Sequence, residues 1–334
     1  MKATIKDIAN ITGYSVATVS RALNGKEVVG EKTRTRIQEV ARELHYVPNA
    51  FARSLQKSRG YAIGMIVSDL SNGYFTEVFR GAEEVASAEG YSTIFANTDF
   101  DPGKEQEALR LLTTNRVDGL IIQVSNEAAD ECRALIDMGY PIVLYGQMLD
   151  GVNCPMVGCN NYSSSFAMTE YLIGQGHKKI AHVGGHPDTN TGFQRRQGFL
   201  DAMAHYGIEV REDWVLMTDY RLEGAYAQCR QMLEKDELPT AIFAANDYLA
   251  AGCCRAIREK GLRIPEDISL AGHDDTEIAS LMQPGLTTMR QQMREIGSIA
   301  AQKLLGMIRD GQGAERDISV VPTQLVVRDS VCRR

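Results

Sequence analysis

Residues 4–24 read TIKDIANITGYSVATVSRALN, and the chain is organised around this stretch. Two short helical patterns flank a turn that contains a glycine. Ile5, Ile8 and Ala9 share one face of the first pattern. Gly13 falls in the turn, where a positive φ costs glycine little. Ser15 is placed to cap the second helix by accepting a backbone N–H. That helix is expected over residues 16–23, with Val19 and Leu23 packed inward and Val16, Ala17, Ser20 and Arg21 pointing out. The layout is that of a helix-turn-helix, whose second helix enters the major groove of DNA. Two small packed helices with no partner would give the same local pattern, so the rest of the chain decides.

Residues 32–44, KTRTRIQEVAREL, form a third amphipathic pattern with Ile37, Val40, Ala41 and Leu44 on its inner stripe. Lys32, Arg34 and Arg36 stand near its N-terminal end, where the helix dipole disfavours cations. A phosphate backbone passing that end accounts for them. In residues 45–60, HYVPNAFARSLQKSRG, Pro48 ends the preceding element and Asn49 can cap a short helix over 50–57. Such a helix is too short to be stable alone in water. The segment reads as a hinge that orders when it meets DNA, with Leu55 as an apolar wedge for the minor groove. An ordinary interdomain linker is the alternative.

The charge is divided unevenly. Residues 1–60 carry eleven Lys or Arg and five Asp or Glu, a net +6, whereas the remainder nets −13 and the whole chain −7. A basic head on an acidic body fits a nucleic-acid module joined to something else, with salt-dependent phosphate binding. Seven cysteines, Cys132, Cys154, Cys159, Cys229, Cys253, Cys254 and Cys332, show no CxxC pair and no metal-ligand spacing, which suits reduced thiols. No apolar signal core opens the sequence, and no apolar run approaches the ~18 residues of a membrane span. The expectation is a cytoplasmic protein with no membrane contact.

From Tyr61 the texture changes to apolar strands alternating with amphipathic helices. AIGMIVSD, YSTIFANTD, VDGLIIQV and IVLYG belong to one block at about 61–160. KIAHVGG, WVLM, AIFAAND and ISLAGHDD belong to a second at about 161–290. This is βαβ punctuation and implies parallel sheets covered on both faces. The tail supplies a strand (LTTMRQ), a helix over 294–309 and closing strands (DISVVP and TQLVVRDS). If it returns strands to both blocks, the body is two-lobed and hinged. The fold class is therefore α/β, with a small all-α headpiece.

Catalytic signatures are missing. There is no GxGxxG after a strand, no GxxxxGK[ST], no GxSxG and no HExxH. His177 and His182 read as structural or surface residues. Asp274 and Asp275 end a strand at the place where parallel sheets bind polar ligands, and no third ligand for a metal stands nearby. Ligand binding is favoured over catalysis, with no cofactor and no metal.

The quoted stretches at 4–24 and 32–55, with GHKKIAHVGG, PTAIFAAND and GHDDTEIASLMQPGLTTMRQ further on, resemble the lactose/galactose repressor family of bacterial transcription regulators. The resemblance covers essentially the whole chain. It implies a helix-turn-helix headpiece (1–47), a hinge helix and linker (48–60), and an effector-binding and dimerisation body (61–334) like periplasmic sugar-binding proteins. The body's N-subdomain would comprise about 61–160 and 292–321, and its C-subdomain about 161–291 and 322–334. It further implies a homodimer on a pseudo-palindromic operator, released by a sugar or sugar phosphate. Ser15 heads the reading helix, and Arg21 matches the family's base-reading arginine, a natural bidentate partner of guanine. Val16 and Ala17 match the two positions that set operator preference. Thr18, Ser20, Asn24, Lys32 and Arg34 match phosphate contacts, which fix register. Leu55 matches the intercalating leucine, with Ala52 one turn before it.

In the body, Arg195 matches the arginine that clamps effector, and Asn246 and Asp274 match two polar ligands of the same pocket. Tyr74 and Phe75 match an aromatic wall, and Tyr220 another aromatic, although Phe75 would equally serve as a helix-face cap. The chain departs from the pattern at four places. Gly30 replaces a serine cap. Thr189 replaces an arginine that a purine-binding relative uses, which argues against a purine corepressor. Gly146 replaces an aspartate found near the sugar in the lactose-binding relative. The C-terminal leucine-rich helix of tetrameric relatives is absent, which implies a dimer. The expected function is repression of a carbohydrate-utilisation operon. The alternatives are a solute-binding protein, an α/β enzyme fused to a DNA-binding head, or a corepressor-dependent or activating regulator.

Overall fold

The computed structural model describes residues 3–23, 28–46, 60–114, 117–125, 128–146, 152–186, 189–311 and 316–334. The chain divides into two compact units, residues 1–60 and 61–334. Asn24, Ala52, Leu55 and the expected hinge helix lie outside the described residues.

The first unit contains α1 (Ile5–Thr12), α2 (Val16–Leu23) and α3 (Glu31–Glu43). Thr4 and Asp7 form a reciprocal capping box at the start of α1, in which the Thr4 backbone N–H donates to Asp7 Oδ2 at 2.7 Å. Gly13 closes α1 with φ +74°, the left-handed conformation expected of it. Gly30 precedes α3 and contributes no side-chain cap. The core consists of Ile8, Val19, Ala22, Ile37, Val40 and Ala41, with Leu23 and Leu44 packed at its rim. Ala22, not Leu23, takes the central place on α2. It lies three residues from Val19 on the same face, and its small side chain fits where three helices meet.

The second unit holds two six-stranded sheets. In the first, β1 (Ala62–Val67), β2 (Ser92–Asn97), β3 (Leu120–Ile122), β4 (Ile142–Tyr145) and β5 (Met156–Gly158) are joined by a late strand, β11 (Ile318–Val320). The order is β11-β5-β4-β3-β1-β2, and every pairing is parallel. In the second, β6 (Ile180–Gly184), β7 (Val215–Met217), β8 (Ala241–Ala244), β9 (Ser269–Asp274) and β10 (Thr287–Arg290) are joined by β12 (Gln324–Val326). Here the order is β12-β10-β9-β8-β6-β7, and only β12 runs antiparallel, to β10.

The chain crosses between the lobes three times: after β5, after β10 and between β11 and β12. The helix Met293–Asp310 follows β10 but packs its Ile296, Ala300 and Leu304 into the first lobe's core. Central strands such as β4 and β8 are buried along their whole length, as parallel strands covered on both faces must be. The edge strands are less covered: on β2, Ile94 and Phe95 remain 44% and 50% exposed, and on β11 Ile318 and Val320 remain 40% and 59% exposed.

Both histidines of the second lobe's GHKKIAHV segment are buried structural groups. His177 bridges Thr240 Oγ1 and the Cys332 carbonyl at 2.9 and 3.0 Å. His182 donates from Nδ1 to the Phe243 carbonyl at 3.1 Å and stacks on Phe199. Burial pushes the His182 imidazole down to about 3, so it is neutral in the fold. The unfolded chain therefore binds more protons below the ordinary histidine pKa, and stability is lost as pH falls from there toward 3. Replacing it, as His182→Gln, is expected to flatten the stability profile between pH 6 and 4 by about 1.4 kcal/mol per pH unit. Denaturant melts across that range test the expectation, and an unchanged slope would rule it out. All seven cysteines are free thiols, and six are buried.

Candidate effector cleft and nucleic-acid interface

In the headpiece, Ser15 heads α2 and its Oγ accepts the Thr18 backbone N–H at 3.1 Å. A second contact, Ser15 Oγ to Thr18 Oγ1 at 2.9 Å, ties the two side chains together. Ser15, Val16, Ala17 and Arg21 are exposed along one side of α2, while Thr18 and Ser20 are half-buried. Lys32 is exposed at the start of α3. Arg34 is half-buried and turns back toward the Val29 carbonyl at 3.5 Å, so its guanidinium is partly engaged within the headpiece. Removing the cap, as Ser15→Ala, is expected to cost about 1 kcal/mol of α2 stability. Faster amide hydrogen exchange at Thr18 and Val19 in the intact chain is the readout.

In the body, one cavity of about 310 Å³ lies between the lobes, and Tyr74, Phe75, Arg195, Tyr220, Asn246 and Asp274 all line it. Each is delivered by a strand end or helix start at the carboxyl edge of a parallel sheet, where such folds place their sites. Arg195 projects from the helix Asn190–His205, whose N-cap is Thr189. Its guanidinium is fully oriented: Nε donates to Asn161 Oδ1 at 2.8 Å, Nη1 to the Ala245 carbonyl at 2.5 Å and Nη2 to Asp274 Oδ1 at 3.2 Å. Asp274 Oδ1 also accepts from His273 Nδ1 at 2.9 Å and Gln291 Nε2 at 2.7 Å. Burial opposes ionisation of Asp274, but the Arg195 charge and the His273 and Gln291 donors hold it below the usual carboxylate value. His273 is thereby fixed as the neutral tautomer with Nδ1–H toward Asp274, and its Nε2 accepts from the Ser164 hydroxyl at 2.8 Å. Asn246 is the N-cap of the helix Asp247–Glu259. Its Oδ1 is spent on the Leu249 N–H at 2.8 Å, which leaves the amide as a donor.

The aromatic lining is arranged differently from a pair of bare walls. Phe100, which carries no mark in the sequence pattern, stands between Phe75 and Tyr220. Its ring meets Phe75 edge-on at 6.3 Å and stacks on Tyr220 at 5.9 Å, with an interplanar angle of 13°. Phe100 belongs to the first lobe and Tyr220 to the second, so this stack spans the cleft. Gly185 packs so tightly on the Tyr220 ring that a Cβ there would come within 1.8 Å of it. Tyr220 therefore has little free ring face to offer.

Asp99, Phe100, Tyr220 and Asp274 all line the cavity with φ between +54° and +108°. Such strain in non-glycine residues clusters at ligand sites. Two hydrogen bonds also join the lobes: Thr191 Oγ1 to the Gly146 carbonyl at 3.2 Å, and Arg221 Nη2 to the Asp99 carbonyl at 3.3 Å. Gly146 has φ +67°, and a Cβ there would sit 3.0 Å from the Tyr74 hydroxyl, so an aspartate at this position would be strained and would press on Tyr74. Asp275 points away from ligand chemistry: its two oxygens are held by Arg328 and Arg290, both at 2.6 Å. Among the described residues no group of three His, Cys, Asp or Glu could hold a metal.

Residues 4–49 match the lacI family of bacterial regulatory proteins, and residues 169–331 match the periplasmic binding protein-like domain. The HTH-type transcriptional repressor PurR of Histophilus somni is 34% identical over 330 residues, 98% of this chain and 99% of that protein. The PurR of Pasteurella multocida is also 34% identical, over 99% of both chains. Among solved structures, the Lac repressor dimer bound to operator and the anti-inducer ONPF superposes with a TM-score of 0.87 at 28% identity. It covers 99% of this chain and all of that one. The regulator CelR in complex with cellobiose matches with a TM-score of 0.74 at 27% identity, over 98% of this chain and 99% of that one.

The fold and the two sites thus define an effector-responsive DNA-binding regulator. The chain belongs to the lacI family of bacterial regulatory proteins. No helix among the described residues is long and apolar enough to cross a membrane.

Proposed function

We propose that the protein is a homodimeric, cytoplasmic repressor of a carbohydrate-utilisation operon, released from a pseudo-palindromic operator by a sugar-like effector. The observation that carries this reading is the convergence of Arg195, Asn246 and Asp274 on one interlobe cavity in a chain that also bears a helix-turn-helix. In this reading residues 1–47 read DNA, 48–60 form the conditional link and 61–334 sense the effector. Val16, Ala17 and Arg21 face bases, while Ser15, Thr18, Ser20, Lys32 and Arg34 hold the backbone. Effector in the cleft favours a different closure of the lobes, and a differential affinity worth about 1–3 kcal/mol suffices to free the operator.

The exposed apolar edge strand β2, with Ile94 and Phe95, supports a dimer surface. The Lac repressor neighbour is a dimer on its operator, which agrees. Ser164, His273 and Asp274 form a hydrogen-bonded chain beside Arg195, but Ser164 and His273 are buried outside the cavity lining, which favours binding without turnover, as expected of a relative of transcriptional repressors. Thr189 Oγ1 accepts the Gly192 N–H as a helix cap, so that position offers no guanidinium to a purine, although the relatives above are PurR proteins.

The test is selection of operator DNA from a random pool, followed by a screen of sugars for release of the bound fragment. A sequence-specific complex dissociated by a sugar is the expected result. Binding to all DNA alike, or turnover of the sugar, would refute the reading. Sedimentation of the free protein is expected to show two chains per particle.

A further inference from the structure

The charges around the cleft say what kind of molecule it takes. Six charged side chains among the described lining residues face it: the carboxylates Asp99, Glu105, Asp219 and Asp274, and the guanidiniums Arg195 and Arg221. Neither cation is held in reserve for an anion. Arg195 is matched by Asp274 at 3.2 Å, both nearly fully buried. Arg221 lies 3.8 Å from Asp219 and gives one N–H to the Asp99 carbonyl.

Helix starts, the other common holders of phosphate, are also occupied by the chain's own oxygens. Asp101 accepts the Gly103 and Lys104 N–H groups at the start of Pro102–Thr114, and Glu105 sits in its first turn. Asp219 accepts the Arg221 N–H at 3.1 Å ahead of Leu222–Leu233. Thr189 and Asn246 cap the two helices that carry Arg195 and follow β8. Asp99 is likewise paired, with Lys104 at 2.5 Å, so an entering phosphate or carboxylate would give up its hydration without finding an unmatched cation among the described lining residues.

For hydroxyl groups the same lining is well supplied. Three of Arg195's five N–H donors are spent on oxygen acceptors and the guanidinium also lies against the Cys159 sulfur, so at most two are left for a ligand. The Asn246 amide is a further donor. Three protein donors converge on Asp274 Oδ1, and among the described residues none reaches Oδ2, which leaves an ionised acceptor for a ligand O–H. We infer that the cleft takes an uncharged, polyhydroxylated molecule and discriminates against its phosphorylated or carboxylated counterpart. This rests on the reading of the cleft as the effector site and narrows its ligand class.

The experiment is calorimetric titration of the full chain with ribose, glucose and cellobiose, each beside a charged counterpart: ribose 5-phosphate, glucose 6-phosphate and cellobionate. At least one neutral sugar is expected to bind, with its charged partner about 100-fold weaker, and with a Kd that moves less than about twofold across a tenfold change in salt. Asp219→Asn, on the exposed rim, is expected to narrow the gap within a pair. A charged member that binds more tightly than its neutral partner, a strongly salt-dependent Kd, or no binding by any neutral sugar overturns the inference. If some other compound releases the operator in that last case, the regulator reading still stands. If sugars bind in the expected order without changing operator affinity, the charge preference stands and the regulator reading falls.

Discussion

Arg195→Ala is expected to abolish effector-driven release while the headpiece still binds operator. The residue is 4% exposed and its guanidinium holds three partners from separate parts of the second lobe, Asn161, Ala245 and Asp274. Truncation removes the one cation paired with Asp274 among the described residues and leaves a buried carboxylate with the neutral donors His273 and Gln291. Breaking a buried pair in this way costs about 3–5 kcal/mol of body stability. The second substitution Asp274→Asn in the same chain is expected to recover much of that loss, since the uncompensated charge is gone, but not the response to effector. Chemical melts measure the first quantity and fluorescence anisotropy on labelled operator the second. A single variant that stays fully responsive would place the effector elsewhere.

Arg21→Ala is expected to weaken operator binding by about 1–3 kcal/mol and to relax sequence preference at one base pair in each half-site. Arg21 is exposed on the last turn of α2 and free to reach the groove. Lys32→Ala makes the contrast: removing a cation that neutralises a phosphate should lower affinity for all sequences alike and reduce the salt slope by about one. Titrations at several salt concentrations against the selected operator and single-base variants separate the two. If both variants behave alike, Arg21 binds a phosphate and another residue reads the base.

Much of the headpiece is legible because its signals are local. Ser15 and Gly13 act on backbone groups within four residues, and Ile37, Val40 and Ala41 follow a helical period, whereas the equally local Thr4–Asp7 capping box is recognised only in the structure. The choice of Ala22 over Leu23 for the centre of α2 is not local, since both suit the face, and the packing of three helices selects the smaller. In the body, burial on both sides makes strands such as AIFA and IVLY continuous apolar runs, and these announce a parallel sheet. The return of β11 to the first sheet and β12 to the second depends on long-range pairing that neither three-residue strand encodes by itself.

The candidate site divides along the same line. Arg195, Asn246 and Asp274 stand in distinctive motifs, and their residue types already suggest a polar ligand. Phe100, Asn161 and Gln291 carry no such mark, yet Phe100 fills the space beside Tyr220, and the other two orient Arg195 and Asp274. By itself the sequence determines a basic helix-turn-helix head, an α/β body and the chemical types available for a ligand, because composition and short periods suffice for these. Tertiary structure alone decides which oxygens and N–H groups are already spent and that Tyr220 is covered on its face. It also decides that the cleft's cations are matched, since those facts depend on residues up to 122 positions apart meeting across two lobes.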